Sequence, residues 1–211
     1  MKYKLESKNY YNLTLIDETK RDVVLVLPGG AYSYASDREG SVVSNAFSDA
    51  FHHAVYYYRE EIILYPEITD EVLNILKALR EHALIHKIYL IGFSAGGHFA
   101  AMISNLYHDY VDKLILCYPV ITTNPRYMHV NSFINLYGKN PSTDELEAVS
   151  MEKQINGLFP PTFLMHTLED KSVPVENSLF MLEALRSKNV YAEIHLYPTG
   201  RHAISIATEE D

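Results

Sequence analysis

The sequence predicts an α/β fold in which helices cover both faces of a mostly parallel, twisted sheet. Short apolar runs rich in β-branched residues alternate with segments of helical period from the first quarter of the chain to the last. Of the 211 residues, 47% are hydrophobic and 21% are charged, which is sufficient for one full core without disulfides. We therefore expect a single domain over residues 1–211.

The predicted strands are apolar runs of the kind that is buried on both faces of a parallel sheet. They are Val23–Leu27, Ala54–Tyr58, Lys87–Phe93, Lys113–Val120, Thr162–Thr167 and Ala192–Tyr197. An earlier run, Tyr11–Ile16, is joined to the first of these by the polar turn DETKRD. That short link favours an antiparallel hairpin at the edge of the sheet.

Three amphipathic helices are expected between the strands. Val72, Ile75, Leu76 and Leu79 form an apolar stripe, with Thr69 or Asp70 at the N-cap. A second helix begins after Ser94, and a third runs from about Val175 to Ser187, after Pro174.

The segment at about 121–160 interrupts this alternation because it is polar and contains three prolines. It offers one helical candidate, near Asp144 to Lys153. Loops of this length in a compact domain are usually functional, so we expect a lid-like insertion.

The formal net charge of −9 would repel a phosphate backbone, which argues against nucleic acid as a partner. The single cysteine, Cys117, lies in an apolar run, so no intrachain disulfide is possible. No apolar stretch approaches bilayer length and no signal-peptide hydrophobic region is evident, so we expect a cytoplasmic protein without a membrane partner. A homo-oligomer is left open.

The strongest chemical signal is Gly92-Phe93-Ser94-Ala95-Gly96, placed between a predicted strand and a predicted helix. This is the context of a nucleophile elbow, in which Ser94 occupies a strained turn and the glycines allow strand and helix backbones to pass closely. A phosphate loop is the alternative, but the segment has neither its lysine nor G-x-G-x-x-G.

A nucleophilic serine requires a base and an orienting acid, and both follow later strands. Asp170 comes just after Thr162–Thr167, and His202 comes just after Ala192–Tyr197. The order Ser94, Asp170, His202 is the one this elbow predicts. Glu169 remains an alternative acid. The other histidines near these elements are His98, His166 and His195, of which the last two fall inside predicted strands.

An oxyanion intermediate requires preorganised donors. The Ala95 N–H is placed by the elbow, and we expect Gly30 and Ala31 in the loop after Val23–Leu27 to supply the second. Tyr32 would then lie near the substrate pocket. A plain turn after a strand is the alternative. His52 and His53 are adjacent and no metal-ligand cluster is present, so neither a metal nor another cofactor is predicted.

The segments PGGAYSYAS, GFSAGGH, EDKSVPVENS and GRHAIS together resemble the α/β-hydrolase superfamily. The chain is most similar to small bacterial acetyl esterases, a group that includes acetylxylan esterases. The resemblance implies the α/β-hydrolase fold and a serine esterase acting on a small-molecule ester, with acetyl groups on sugars or xylan fragments as the expected substrate. It also implies Ser94, Asp170 and His202 as catalytic residues.

The alternatives are a prolyl-oligopeptidase-like peptidase and a non-catalytic binding protein that retains the fold. Only nine residues follow His202, so we expect either that the family's final helix is absent or that the chain is a truncated product.

Overall fold

The computed structural model describes residues 1–207 and contains, within that range, eight strands and seven α-helices. The strands are Lys2–Lys4 (β1), Tyr10–Thr14 (β2), Arg21–Leu27 (β3), His52–Tyr57 (β4), Ile85–Phe93 (β5), Lys113–Cys117 (β6), Thr162–Thr167 (β7) and Ala192–Tyr197 (β8). The helices are Ser41–Asn45 (α1), Ile68–Glu81 (α2), Ala95–Leu106 (α3), Val130–Tyr137 (α4), Thr143–Ala148 (α5), Met151–Gln154 (α6) and Glu176–Ser187 (α7).

All eight strands form one sheet, in the order β1-β2-β4-β3-β5-β6-β7-β8. The pairs from β4 through β3 and β5 to β8 are parallel, whereas β2 is antiparallel to both β1 and β4. The predicted α/β class is confirmed. Parallel pairing brings the carboxyl ends of β3, β5, β7 and β8 to one edge of the sheet, which is where ligand sites form in such folds.

The sheet separates two apolar clusters, and alternate residues of β3 enter one or the other. Leu25 belongs to the larger cluster, which also contains residues of α2, α3 and α7. Val24 belongs to the smaller cluster, together with Val43 of α1. Both residues are at most 1% exposed, as expected for a central strand with helices on both faces.

The predicted edge hairpin is wrong. β2 pairs antiparallel with β4, where Leu13 lies opposite Ala54, and does not pair with β3. Because β3 pairs in parallel with both β4 and β5, it has no free edge for β2. The chain after β2 therefore passes over the position of β4 to reach β3, and the edge strand on this side of the sheet is the short β1.

Helix α2 begins two or three residues earlier than the sequence indicated, since the predicted N-cap was Thr69 or Asp70. Its N-cap is Glu67, and the Thr69 hydroxyl donates to the Pro66 carbonyl at 2.8 Å instead of accepting from a backbone N–H. The other two predicted helices, α3 and α7, begin within one residue of their expected positions.

The segment 121–160 contains three short helices rather than one. α4 was not predicted, and the candidate at 144–153 is divided into α5 and α6. A capping box at Ser142 and Glu145 starts α5.

After β8, turns continue without a helix as far as residue 207, and the expectation about the chain end extends to residues outside the described ones. No helix in residues 1–207 is long and apolar enough to cross a membrane.

Candidate active site

Ser94 lies between β5 and α3 with φ 53° and ψ −120°, the strained conformation of a nucleophile elbow. The flanking glycines are required by close backbone approach. A Cβ on Gly92 would lie 2.4 Å from the Gly96 carbonyl oxygen, and a Cβ on Gly96 would lie 2.2 Å from that of Leu27. Only glycine fits at either position. The glycine spacing therefore lets the backbones of β5, α3 and β3 pass closely, with Ser94 in the sharp turn between β5 and α3.

His202 and Asp170 complete a chain of hydrogen bonds that starts at Ser94. His202 Nε2 is 2.9 Å from Ser94 Oγ, and His202 Nδ1 is 2.6 Å from Asp170 Oδ2. Asp170 follows β7 and His202 follows β8, at the carboxyl edge that also carries the elbow. Since a carboxylate only accepts, Nδ1 carries the proton and Nε2 accepts from the serine hydroxyl. The structure thus brings all three predicted residues together.

The Asp170 carboxylate is buried but well supplied with donors. Its Oδ1 accepts the backbone N–H groups of Ser172 and Val173, both at 2.9 Å. Burial by itself raises the pKa of Asp170, but hydrogen bonds from His166 and His202 outweigh burial and hold that pKa well below its usual range. The carboxylate therefore stays ionised and fixes the tautomer of His202.

The alternative acid and bases are occupied elsewhere or point away. Glu169 is exposed, whereas Asp170 is 7% exposed and bonded to His202. His166 bonds to the Ser178 hydroxyl and the Val173 carbonyl, and its Nε2 lies 3.4 Å from Asp170 Oδ2, so it supports the acid and does not contact Ser94. His195 bonds to the Glu193 carboxylate. His98 donates to the Val149 carbonyl, and burial lowers its pKa to about 4, so it is neutral and structural.

The loop after β3 packs directly on the elbow. A Cβ on Gly29 would lie 3.0 Å from the Ser94 Cβ. Gly30 and Ala31 both have positive φ, at 126° and 53°, which turns their peptide units sharply. The Asn135 side-chain amide of α4 donates to the Ala31 carbonyl at 2.8 Å and holds this loop in place.

The Ala95 N–H is at the first position of α3, where no intrahelical partner exists. It is therefore free to meet an anion, and the helix dipole has the favourable sign there.

Tyr32 does not line an open pocket, so the prediction for its side chain is wrong. It is 1% exposed, its hydroxyl donates to His98 Nδ1 at 2.8 Å, and its ring packs against Tyr58 and Phe99. With φ 57°, the backbone of Tyr32 turns its ring into the core, below the loop that it follows.

Two residues beside the site were not selected from the sequence. Glu39 is 2% exposed and bonds to Gly29 and Tyr118. The Tyr118 ring meets the His202 ring edge-on, with centroids 5.1 Å apart. Tyr118 falls inside the predicted strand Lys113–Val120, whereas β6 ends at Cys117, so Tyr118 is the first residue beyond the carboxyl end of the strand. Glu39 lies in the polar stretch SDREG, which resembles an ordinary solvated turn.

Among the described residues, no group of three or more His, Cys, Asp or Glu side chains is arranged to hold a metal ion. The site is thus built from a serine, a histidine and a carboxylate, with the first residue of α3 and the glycine loop after β3 next to the serine.

The strand order, the elbow and the Ser94–His202–Asp170 arrangement define an α/β hydrolase. The chain belongs to the prolyl oligopeptidase family, whose model matches residues 34–210. The predicted α/β-hydrolase fold is confirmed, as is the resemblance to acetyl esterases, which two of the relatives described next support.

Two curated relatives match nearly the whole chain. An endo-1,4-beta-xylanase B of Butyrivibrio fibrisolvens is 33% identical over 217 positions, which cover 92% of this chain and 34% of the relative. An acetylxylan esterase of Xylanibacter ruminicola is 27% identical over 236 positions, which cover 99% of this chain and 48% of the relative. The chain thus spans between a third and a half of the length of these relatives.

Two solved structures of similar length superpose on nearly the whole of this chain. An acetyl ester-xyloside bifunctional hydrolase from Caldicellulosiruptor lactoaceticus superposes with a TM-score of 0.86 at 28% identity, covering 96% of this chain and 82% of that one. An α/β hydrolase enzyme from a Medee basin deep-sea metagenome superposes with a TM-score of 0.82 at 25% identity, covering 100% of this chain and 85% of that one.

Proposed function

We propose that this protein is a serine carboxylic-ester hydrolase that removes short acyl groups, chiefly acetyl, from sugars or xylan fragments through an acyl-enzyme. The observation that carries the reaction class is the hydrogen-bond chain from Ser94 Oγ through His202 to Asp170, at 2.9 and 2.6 Å. These are the distances at which a base can take the proton of a nucleophile and a carboxylate can orient that base.

In the first half-reaction, Ser94 Oγ attacks the ester carbonyl carbon while its proton passes to His202 Nε2. The resulting tetrahedral intermediate carries a negative oxygen, which we assign to the Ala95 N–H and to the N–H groups of Gly30 and Ala31. His202 then gives the proton to the leaving alkoxide oxygen. The alcohol departs and the acyl group remains on Ser94.

In the second half-reaction, water takes the place of the alcohol. His202 removes a proton from the water, the hydroxide attacks the acyl carbon, and Ser94 leaves with the proton returned by His202. Throughout both steps the Asp170 carboxylate stabilises the imidazolium, because its lowered pKa keeps it ionised.

The substrate class is supported by two relatives, the acetylxylan esterase and the acetyl ester-xyloside bifunctional hydrolase, which match nearly the whole of this chain. A panel of acetylated xylo-oligosaccharides and of nitrophenyl esters with longer acyl chains tests this part. Turnover that is highest for acetyl esters of sugars supports it, and a preference for long acyl chains contradicts it.

The reaction class is tested by replacing the nucleophile. Ser94→Ala should lower p-nitrophenyl acetate turnover by roughly 10⁴-fold or more and abolish labelling by a fluorophosphonate probe. Ser104→Ala is the matched control, because Ser104 is a buried serine of α3 whose hydroxyl has no partner within the described chain. Full turnover by Ser94→Ala, or a probe that labels another residue, would remove the basis of the mechanism.

A peptidase is the second candidate, and the family to which the chain belongs is the observation that favours it. The same three residues can cleave an amide when the site binds an aminoacyl or prolyl group. Parallel assays with an acetyl ester and an aminoacyl nitroanilide separate the candidates. Amide turnover comparable to ester turnover would favour the peptidase.

A further inference from the structure

Glu39 is a buried carboxylate beside the site for which the mechanism above has no use. It ends the 3₁₀ turn Asp37–Glu39 between β3 and α1 and is 2% exposed. Burying a carboxylate is costly unless hydrogen bonds satisfy it. Both of its oxygens are satisfied, and each bond leads to a different part of the active site.

The first bond holds the loop that carries the proposed oxyanion donors. Glu39 Oε2 accepts the Gly29 N–H at 3.0 Å. A Cβ on Gly29 would lie 2.5 Å from Oε2 and 3.0 Å from the Ser94 Cβ. Gly29 is therefore packed tightly between the Glu39 carboxylate and the Ser94 side chain. This packing restricts movement of the loop relative to both residues.

The second bond leads to the loop that carries His202. Glu39 Oε1 accepts the Tyr118 hydroxyl at 2.7 Å, and Tyr118 Oη in turn accepts the Ser205 N–H at 3.0 Å. Ser205 follows His202 by three residues, and its own hydroxyl donates to the Arg38 carbonyl at 2.6 Å. The 3₁₀ turn is thus bonded to the His202 loop twice, once through Tyr118 and once directly.

We propose that Glu39 is a positioning residue that fixes the oxyanion loop and the His202 loop relative to each other and to Ser94. This role rests on the proposed ester hydrolysis. A base and an oxyanion hole must serve the same tetrahedral carbon, and they come from segments more than 160 residues apart. Glu39 is the group that bonds to both, by Gly29 directly and by Tyr118 to Ser205. Misplacement by about 1 Å costs about 100-fold in rate.

The carboxyl group of Glu39 lies in a buried site that is nevertheless polar. Its pKa is raised, because burial outweighs the bonds from Tyr118 and Gly29 and the nearby His202 charge, which lower it. The positioning role of Glu39 rests on its two hydrogen bonds.

Glu39→Gln and Tyr118→Phe break this arrangement in different places. Glutamine keeps an acceptor for the Gly29 N–H but presents an amide group to Tyr118 and carries no charge. Phenylalanine keeps the ring against His202 and the Glu39–Gly29 bond, but removes the acceptor of the Ser205 N–H.

A second tyrosine–glutamate pair provides matched controls. The Tyr56 hydroxyl donates to the Glu71 carboxylate, which also accepts from Asn9 at 2.8 Å. This pair links α2 to β4 and to the residue before β2, and neither side chain bonds to the Ser94, Asp170 or His202 side chain. Glu71→Gln therefore removes a carboxylate charge, and Tyr56→Phe removes a tyrosine–glutamate hydrogen bond, in a region without a proposed catalytic role.

The experiment measures kcat and KM for p-nitrophenyl acetate, the rate of fluorophosphonate labelling of Ser94, and the melting temperature of each variant. Glu39→Gln is expected to lower kcat and the labelling rate by roughly 10- to 100-fold with KM changed less than about 3-fold. Tyr118→Phe should also lower kcat, by a smaller factor. In the variant that carries both substitutions, the loss of kcat should be smaller than the product of the two separate losses, because the residues act through one hydrogen-bond chain.

Glu71→Gln and Tyr56→Phe are expected to lower the melting temperature by a similar amount with kcat unchanged. The proposal is overturned if Glu39→Gln retains kcat within 2-fold, or if its loss of kcat is matched by Glu71→Gln at the same loss of stability. If Glu39→Gln does not fold, Tyr118→Phe with unchanged kcat and labelling rate overturns the proposal equally. If the wild-type protein hydrolyses no ester, the proposed function is contradicted. The Glu39 proposal can then still be tested by comparing wild type and Glu39→Gln in the rate of fluorophosphonate labelling and in the NMR resonance of the His202 Nδ1 proton.

Discussion

The elbow, residues 92–97, and the histidine loop, residues 198–207, position their functional side chains by different means. In the elbow, the Ser94 N–H donates to the Cys117 carbonyl, and the Ser94 carbonyl accepts from Gly97, His98 and Val120. All four of these bonds join backbone atoms of buried residues. In the histidine loop, three non-glycine residues have positive φ, and the anchors are mainly side-chain hydrogen bonds.

Ser94 and His202 are therefore held in position in two different ways. Ser94 is placed by steric necessity, since the surrounding backbones leave room for one arrangement. His202 is placed by its own bond to Asp170 and by bonds from the rest of its loop to Tyr118 and Thr167, side chains that lie at or just after the ends of β6 and β7. Damage to the elbow should therefore appear first as lost stability, and damage to the histidine loop should appear first as lost rate.

The largest expected effect concerns the bond between the histidine loop and Asp170. Asp170→Asn should lower kcat by roughly 10⁴-fold, because the amide group would face His202 Nδ1 and favour the wrong tautomer. The fold should persist, since the asparagine side chain keeps an oxygen for the Ser172 and Val173 N–H groups. Measurement of kcat together with the circular dichroism melting curve tests both statements.

Asp112→Asn is the control for this substitution. Asp112 accepts from Arg80 at 2.7 Å and from the Ile88 N–H at 2.9 Å, at the opposite edge of the sheet. It should lower stability modestly without affecting kcat. If Asp170→Asn behaves like Asp112→Asn, Asp170 does not orient the base.

Gly92→Ala tests the steric side of the comparison. Its Cβ would lie 2.4 Å from the Gly96 carbonyl oxygen and 2.7 Å from the Ala100 Cβ, so α3 must move away from β5. We expect the free energy of unfolding to fall by about 3 kcal/mol, with loss of fluorophosphonate labelling. Gly157→Ala is the control, because its nearest neighbour lies 3.9 Å away and the change should stay within about 0.5 kcal/mol. Denaturant titration measures both, and equal stability of the two variants would show that the elbow tolerates more volume than its geometry indicates.

Thr167→Val tests a single anchor of the histidine loop and has the smallest expected effect. The Thr167 hydroxyl donates to the Gly200 carbonyl at 2.8 Å, two residues before His202. Its removal should cost about 1 kcal/mol of stability and lower kcat by about 3- to 10-fold. Thr162→Val, at the other end of the same strand, removes a similar bond to the Pro160 carbonyl and should cost stability alone. Equal kcat for the two variants would show that the Gly200 bond does not position His202.

The sequence was most informative where local chemistry decides the structure. Apolar runs predicted β7 and β8 to the residue, and the glycine spacing predicted the elbow, because close backbone contact forbids a side chain at those positions. The hairpin error has the opposite origin. The pairing of β2 depends on which edge of a distant strand is free, and no pattern within residues 11–27 records that β3 is already paired on both sides.

The missed site residues show the same limit. Nothing in the neighbourhood of Glu39 along the chain marks it as buried, since its partner Tyr118 is 79 residues away. Tyr32 follows the glycines of the loop, yet its ring turns into the core toward His98, which is 66 residues away. The order of Ser94, Asp170 and His202 could be used because a known chain order relates them, whereas supporting contacts have no such order.

The hydrogen bond from Asn135 to the Ala31 carbonyl restricts how a substrate can enter. It joins α4, within the segment expected to be lid-like, to the same loop that carries the proposed oxyanion donors. A hinged opening of α4 would pull on that loop and disturb the donors that the reaction needs. We therefore expect α4 to stay in place while a substrate binds, so that the space beside α4, rather than the timing of a gate, limits which alcohols the site accepts.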